Sequence, residues 1–511
     1  MKLLKLSAVA ALACLLATSA NADEEKAKRD LKDNMQEVYN VLPSSVDNLS
    51  DAFTKGMFYG RLRMNIFDYD WKNETSKTKD NSQLGLGGSL IYKTAPFAGF
   101  SATAGFYYTD SPFVGMRSAS DKTSLGFMKS GKDTVSRYDV YNSGDYYIAS
   151  LAQAYIQYDI SKTTVKAGRQ IFESLLTASN DTKMIPNTFE GYTVETKEIP
   201  KTTIRGALFT AEKLRDHSTF SDVLTYGDGS SNAAASWNGN DDAVVHQGLS
   251  YANFVKAGKD VNHKLIVADV SNKSIDNLKI DVTYTAVPDV VSNIAGELNY
   301  KIALPGGYSL TPGIRYMQQI DNGGGDVGGA ALSGQLVTWT GSTPTYKSNL
   351  GYSSPKSLDG SLGMARLVLN NGPLKAQIAY SQVANDADIV APWRGFPTGG
   401  YTRAMAQYNW YANTKTYDAE IGYDFGKAKI LKGFSTLVRY AAQDFDKKKQ
   451  LAGVQADSKV VEIDLRQKIA KGLDAKFRVG IVSADKMTYG SNAGKDVNSY
   501  NEYRFEINYL F

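Results

Sequence analysis

The sequence predicts an all-β chain folded as a transmembrane antiparallel β-barrel, and three observations carry that prediction. Apolar and polar residues alternate with period two from about Gly56 to Phe511, no run of 18 apolar residues follows residue 22, and short turns alternate with long polar connections. The composition agrees: of 511 residues, 45 are Gly and 32 Tyr but only 13 Pro, and aromatics reach 11%. Such a mixture suits many short, turned strands and argues against disorder. A mean hydropathy of −0.32 argues against a helical membrane bundle. The length alone would suggest several domains, yet no linker-like break appears beyond about residue 55.

The elements follow in order. Residues 1–22 begin with Lys2 and Lys5, continue through an apolar run from Leu6 to Ala17 and end in Ala20-Asn21-Ala22, the pattern of a secretory signal peptide with its cleavage site. The single cysteine, Cys14, lies inside it, so the expected mature chain uses no disulfide. Residues 23–55 are charged, with Leu31, Met35, Val38 and Leu42 at helical spacing, and are expected to form a partly helical segment ahead of the barrel.

The barrel is expected over 56–511. Its strands are predicted at 56–69, 83–93, 100–108, 147–160, 163–170, 188–197, 203–210, 264–270, 278–286, 295–304, 308–318, 359–369, 374–383, 415–425, 434–443, 458–468, 473–483 and 501–511. These number 18, an even count that leaves both termini on the periplasmic side; 16 would remain if 203–210 and 264–270 were not strands. The last strand is the clearest: Tyr503, Phe505, Ile507, Tyr509 and Phe511 alternate with Glu502, Arg504, Glu506, Asn508 and Leu510. Aromatics near strand ends, such as Tyr69, Trp71, Tyr107, Tyr108, Tyr503 and Phe511, are expected at the headgroup level.

Several segments resemble a known family. Ser179-Asn180-Asp181, Pro186 and Thr188-Phe189-Glu190-Gly191 resemble the third-loop region of OprD-type outer-membrane porins. Ala391-Pro392-Trp393-Arg394-Gly395-Phe396-Pro397, with Gly399-Gly400-Tyr401-Thr402, resembles their seventh loop. Asp51 to Gly56 and Gly60-Arg61-Leu62-Arg63 resemble first-strand segments of porins from epsilon-type proteobacteria, and the terminal Tyr509-Leu510-Phe511 is shared by outer-membrane barrels generally. The resemblance implies an 18-stranded barrel whose third and seventh loops fold inward as a constriction. It also implies a ladder of basic residues guiding carboxylate-bearing solutes. Residues 23–50 and 211–263 have no counterpart in it.

The residues point to a channel independently. A barrel of this size is too wide for side chains to fill, so water enters and the inner face can carry charge. Arg439, Arg466, Arg478, Arg504, Arg61 and Arg63 all fall on the polar phase of strands fifteen to eighteen and one. Closure makes those strands neighbours, so the six form one wall. Guanidinium groups stay charged and grip carboxylates with two prongs, which lowers the barrier for anions. The alternative is that they pair with Glu462, Asp464, Asp474, Glu502 and Glu506 on the same wall. Arg315, Arg366 and Lys301 are expected elsewhere around the lumen. Loop 171–187, unusually apolar for an outer loop, carries Glu173, Asp181 and Lys183 and is the expected constriction; Trp393 and Arg394 mark the second candidate loop.

The functional expectation is an outer-membrane porin of a Gram-negative cell: a passive channel for small polar solutes that favours anions or carboxylates. A surface adhesin or receptor using the long loops 211–263 and 320–358 is the alternative, and a barrel hydrolase a third. His217, His246 and His263 fall in or beside one outer loop, no Cys/His metal spacing occurs, and the glycine clusters sit in a strand or loop; no catalysis, metal or cofactor is expected. The weak net charge argues against nucleic acid. The expected partners are outer-membrane lipids, lipopolysaccharide and the barrel assembly machinery, with monomer and homotrimer both open.

Overall fold

The computed structural model describes residues 29–32, 35–39, 42–75, 78–112, 134–179, 181, 184–224, 246–348, 350–391, 393, 395–405, 408–449, 456–488 and 492–511. The predicted signal peptide, Lys183 and Arg394 lie outside them.

The alternating segments build one closed barrel of 18 antiparallel strands. They are β1 Met57–Trp71, β2 Asn81–Lys93, β3 Phe100–Asp110, β4 Tyr147–Ile160, β5 Thr163–Gln170, β6 Thr188–Thr196, β7 Thr202–Lys213, β8 Leu265–Asn272 and β9 Leu278–Val287. The circuit continues with β10 Val291–Tyr300, β11 Ser309–Asp321, β12 Gly360–Asn371, β13 Leu374–Val383, β14 Lys415–Asp424, β15 Phe434–Asp444, β16 Ser458–Ala470, β17 Leu473–Ala484 and β18 Tyr500–Leu510. Closure pairs β18 with β1 from Tyr500↔Trp71 to Leu510↔Arg61. Gly60 and Phe511 then exchange two backbone hydrogen bonds of 3.1 Å, which seal the seam. Both weak segments, β7 and β8, pair along their length, from Leu265↔Phe209 to Asn272↔Thr202. Among the described residues no helix is long and apolar enough to cross a membrane; a closed barrel crosses with its strands.

The pleat divides each strand between lipid and lumen. In β18 Tyr503 and Tyr509 are exposed, whereas Glu502, Glu506 and Asn508 are buried. The predicted aromatic belt is only partly of this kind. Tyr69, Trp71 and Tyr107 are on the inner phase and buried; Tyr69 and Trp71 pack with Tyr500 and Ala404. Their position near strand ends was visible in the sequence, but what they cover is an inward loop rather than lipid.

The N-terminal segment departs from expectation. Leu49–Thr54 is helical, capped by the Asn48 side chain. However, Arg29–Leu31 and Glu37–Tyr39 form a two-stranded hairpin, with Met35 at φ 65° in its bend. Met35 is buried in that bend, and polar partners inside the barrel hold the segment beside it.

Long and short connections alternate as predicted, with the long ones at the outer end. Loops 171–187 and 384–414 fold into the barrel and share one buried core with the walls: Leu176, Trp393, Tyr401 and Trp410 pack with Phe189, Phe209 and Met364. The walls are cut to receive them. A Cβ on Gly85 would lie 3.1 Å from the Met184 sulfur, and one on Gly480 would strike the Met405 sulfur.

Candidate functional site in the barrel lumen

Strands β14 to β18 and β1 carry the arginine wall, and their register decides which groups meet. Arg439 stands opposite Glu420 on β14 and Glu462 on β16. Its guanidinium pairs with both, at 3.1 Å for Glu462, lies 3.6 Å from Asp418 and donates to the Arg403 carbonyl at 3.0 Å. Arg478 grips both oxygens of Asp464 and reaches Glu462 at 3.4 Å. Arg504 pairs with Glu502 two residues away, and Arg466 is 4.0 Å from Asp464. Lys476, not singled out in the sequence, joins the same wall at 3.4 Å from Asp464 and 4.0 Å from Glu506. The wall is contiguous as read from the alternation. Its arginines are held in a lattice of ion pairs with Glu420, Glu462, Asp464 and Glu502.

Arg61 and Arg63 are the most enclosed members, 1% and 3% exposed. Asp181, from loop 171–187, bridges them: one carboxylate oxygen accepts from Arg61 and the other from Arg63 at 2.9 Å. Arg63 also donates to Glu506 at 3.2 Å. The sequence placed Asp181 across a gap from the arginines; the structure closes that gap. The apolar residues of the loop explain this, because burying Leu176, Met184 and Ile185 brings the loop backbone onto the wall.

The N-terminal hairpin occupies the same region. The Met35 carbonyl accepts from Arg61 at 2.8 Å, and Glu37 lies 3.5 Å from the Arg61 Nε. Ser89 on β2 donates to Glu37, and the Tyr39 ring stacks on Tyr59 at 5.1 Å. Gln36 donates to the Ser179 carbonyl at 2.5 Å and to Glu173 at 3.2 Å, while Lys32 pairs with Glu173 at 3.3 Å. Glu173 therefore holds the hairpin rather than facing open water. Burial pushes the Glu37 carboxyl above its ordinary range, against the pull of Arg61.

The opposite wall holds the other inward loop. Arg315 pairs with Glu297 and donates to the carbonyls of Pro397 and Gly399, at 3.0 and 3.1 Å. Arg366 donates to the Gly400 carbonyl at 2.7 Å. The Tyr401 ring lies under both guanidiniums, at 4.8 and 4.4 Å. Trp393 is fully buried, and its carbonyl accepts from the Ala178 amide at 3.2 Å. Lys301, expected in the lumen, instead lies exposed in the turn after β10, because that strand begins four residues earlier than its alternation suggested. Among the described residues no group of three or more His, Cys, Asp or Glu is arranged to hold a metal.

Solved structures share this architecture. OccAB3 of Acinetobacter baumannii matches with a TM-score of 0.65 and 16% identity, over 90% of this chain and 99% of that one. OccK8 (OprE) of Pseudomonas aeruginosa matches at 0.64 and 15%, again over 90% and 99%. A BenF-like porin from Pseudomonas fluorescens Pf-5 matches at 0.62 and 14%, over 90% and 99%. A comparison with curated protein sequences returned no match. The description "outer membrane porin, OprD family" fits residues 129–511. The chain belongs to the OprD family of outer membrane porins.

Proposed function

We propose that this porin is a passive, non-catalytic diffusion channel for small polar solutes that favours anions and carboxylates. The supporting observation is a small recess on the lumen wall lined by Lys476, Arg478, Arg504, Glu506, Asn65 and Phe67. It brings three cations to one carboxylate, and Arg478 and Arg504 stand directly opposite one another on adjacent strands. Like charges in register disfavour each other unless an anion lies between them. A solute carboxylate passing along this stretch of wall meets guanidinium donors while Asp464 and Glu502 hold their far edges. Because each arginine keeps a carboxylate partner, the solute exchanges with an existing pair and is not trapped.

Export by the N-terminal signal, insertion by the barrel assembly machinery through the Phe511-ended strand, and contact of the outer rim with lipopolysaccharide belong to the same reading. Reversal potential across a salt gradient tests it. With Arg478→Gln and Arg504→Gln together, selectivity should move toward cations, and the move should shrink at high salt as charges are screened. An unchanged reversal potential would show that the pairs are electrically silent.

A further inference from the structure

Arg61 differs from the rest of the basic wall in where its partners come from. Arg439, Arg478 and Arg504 pair with carboxylates carried by the barrel strands. The two carboxylates on Arg61 come from outside the barrel sheet: Glu37 from the N-terminal hairpin and Asp181 from loop 171–187. The terminal nitrogens of this guanidinium are hydrogen-bonded, one to the Met35 carbonyl at 2.8 Å and the other to Asp181. Its remaining donor, Nε, lies 3.5 Å from Glu37 Oε1. That oxygen accepts from the Ser89 hydroxyl, and among the described residues neither Arg61 Nε nor Glu37 Oε2 has a hydrogen-bond partner. Glu37 is therefore a buried carboxylate held to Arg61 by charge, without the two-pronged grip that Arg478 has on Asp464.

The rest of the hairpin is lightly held. Leu31, Met35 and Val38 join none of the buried apolar clusters of the described residues. The pairs Lys32–Glu173 and Lys468–Asp30 reach solvent, and such pairs are weak. Gln36 adds one side-chain amide on loop 171–187, and Tyr39 one ring contact with Tyr59. Two strands of three residues each are marginal on their own. Among the described residues, the first backbone bond to the barrel rim after the hairpin runs from the Val46 amide to the Pro96 carbonyl, at 2.9 Å. Residues 40–45 thus join the hairpin to a fixed point. A short tether of this kind presents its ligand at an effective concentration on the order of millimolar, which a free solute can match.

We propose that the hairpin is a tethered competitor: Glu37 holds the edge of Arg61 that a solute carboxylate would take, and such solutes open the channel by displacing it. The proposal rests on the carboxylate preference argued above. An incoming carboxylate can accept from Arg61 Nε and from Ser89 together, bonds that Glu37 only half makes. Asp30, Asp33 and Glu37 against Arg29 and Lys32 give the segment 29–39 a net charge of −1, so it is drawn to the same wall as the solutes it competes with. Neither the strand ladder nor the apolar clusters include the hairpin, so it can leave while the barrel stays closed.

Planar-bilayer recordings of the full-length protein test this with sodium acetate, against sodium chloride at the same ionic strength. In the wild type acetate should lower the fraction of time spent closed, with half of the effect at an acetate concentration on the order of millimolar. Glu37→Gln should already show that low closed fraction in chloride, reduced roughly tenfold or more as a buried ion pair is lost, and should no longer respond to acetate. Ser89→Ala, which loosens Glu37 without touching its charge, should respond at lower acetate. Hydrogen exchange gives a reading that needs no variant: acetate should reduce amide protection over 29–39 and leave β1 and β18 protected. Heat-modifiable migration shows that each variant is folded. The reversal potential of the same channels reads solute preference separately, so a lack of anion preference there rejects that reading and leaves the hairpin's response to be judged by itself. An equal response to acetate and chloride would overturn the proposal, since screening alone would explain it. So would an acetate response retained in folded Glu37→Gln, or protection over 29–39 that acetate does not change.

Discussion

The Ala178 amide donates to the Trp393 carbonyl at 3.2 Å, and this bond joins two loops rooted on nearly opposite walls. Loop 171–187 leaves β5 and loop 384–414 leaves β13, eight strands away around the ring. Their contact is close elsewhere too, since a Cβ on Gly395 would overlap the Leu176 carbonyl. The two loops thus form a strut across the lumen. Deleting 174–183 removes half of it, and single-channel conductance should rise clearly while the barrel still assembles. Gly395→Val should act in the same direction but less, as larger and noisier openings. Wild-type conductance in both would place the narrowest point elsewhere.

Asp181 fixes the near end of that strut. Removing its charge leaves Arg61 and Arg63 buried with one carboxylate fewer, and breaking such a pair costs roughly 3–5 kcal/mol. Asp181→Ala should release loop 171–187 before the barrel itself unfolds. The check is limited proteolysis: cleavage within the loop should appear while heat-modifiable migration is retained. Asp181→Asn should show the same defect, and Asp181→Glu should largely rescue it.

These assignments divide by what alternation can and cannot encode. The 18 strands, including the doubtful β7 and β8, were legible because each has a lipid face that must be apolar and a lumen face that need not be. The arginine wall was legible for the same reason, from phase alone. Ion-pair partners were not, because pairing depends on register: Arg439 meets Glu420 and Glu462 only through the offsets of β14, β15 and β16. The early start of β10 was hidden because a tight turn with Asp289 at φ 60° precedes it without a glycine. The hairpin at 29–39 is hidden behind an apolar spacing that also suits a helix, while contacts that fix it come from over a hundred residues away, such as Glu173.

The hairpin supplies the third prediction. It sits against Arg61, Tyr59 and loop 171–187 and is anchored chiefly by polar contacts, including Lys468 with Asp30 at 3.5 Å. Exposed and partly exposed ion pairs of this kind hold weakly. Deleting 29–39 should raise conductance in planar bilayers and reduce brief closures. High salt should produce part of the same change in the wild type, by screening these pairs. A deletion variant that conducts like the wild type would show that the hairpin lies beside the route of the ions.

The outer loops should respond to acid through His246. Its ring is fully buried between loops 214–264 and 322–359; Nε2 lies 2.9 Å from the Gly329 carbonyl, and Nδ1 is 3.1 and 3.3 Å from the Gly248 and Leu249 amides. That arrangement assigns the neutral tautomer protonated on Nε2, since Nδ1 must accept. Burial pushes the imidazole down from 6.5 to about 4. The folded loop therefore binds fewer protons than the opened loop between these values, and its stability falls as pH drops through 6.5 toward 4. The full effect, reached below about pH 4, is roughly 3 kcal/mol. Asp388 opposes it: burial raises this carboxyl to about 6 despite hydrogen bonds from Leu332, Ala412 and Tyr352. A raised acid stabilises its own contacts as pH falls through 6 toward 3.8, so whole-molecule melting would mix two responses of opposite sign. Hydrogen exchange separates them. Protection factors at Gly248 and Leu249 should drop between pH 6.5 and 4.5 in the wild type, and those of Leu332 and Ala412 should not. In His246→Gln, protection of Gly248 and Leu249 should lose its pH dependence. If both retain the same acid response, His246 is not the trigger.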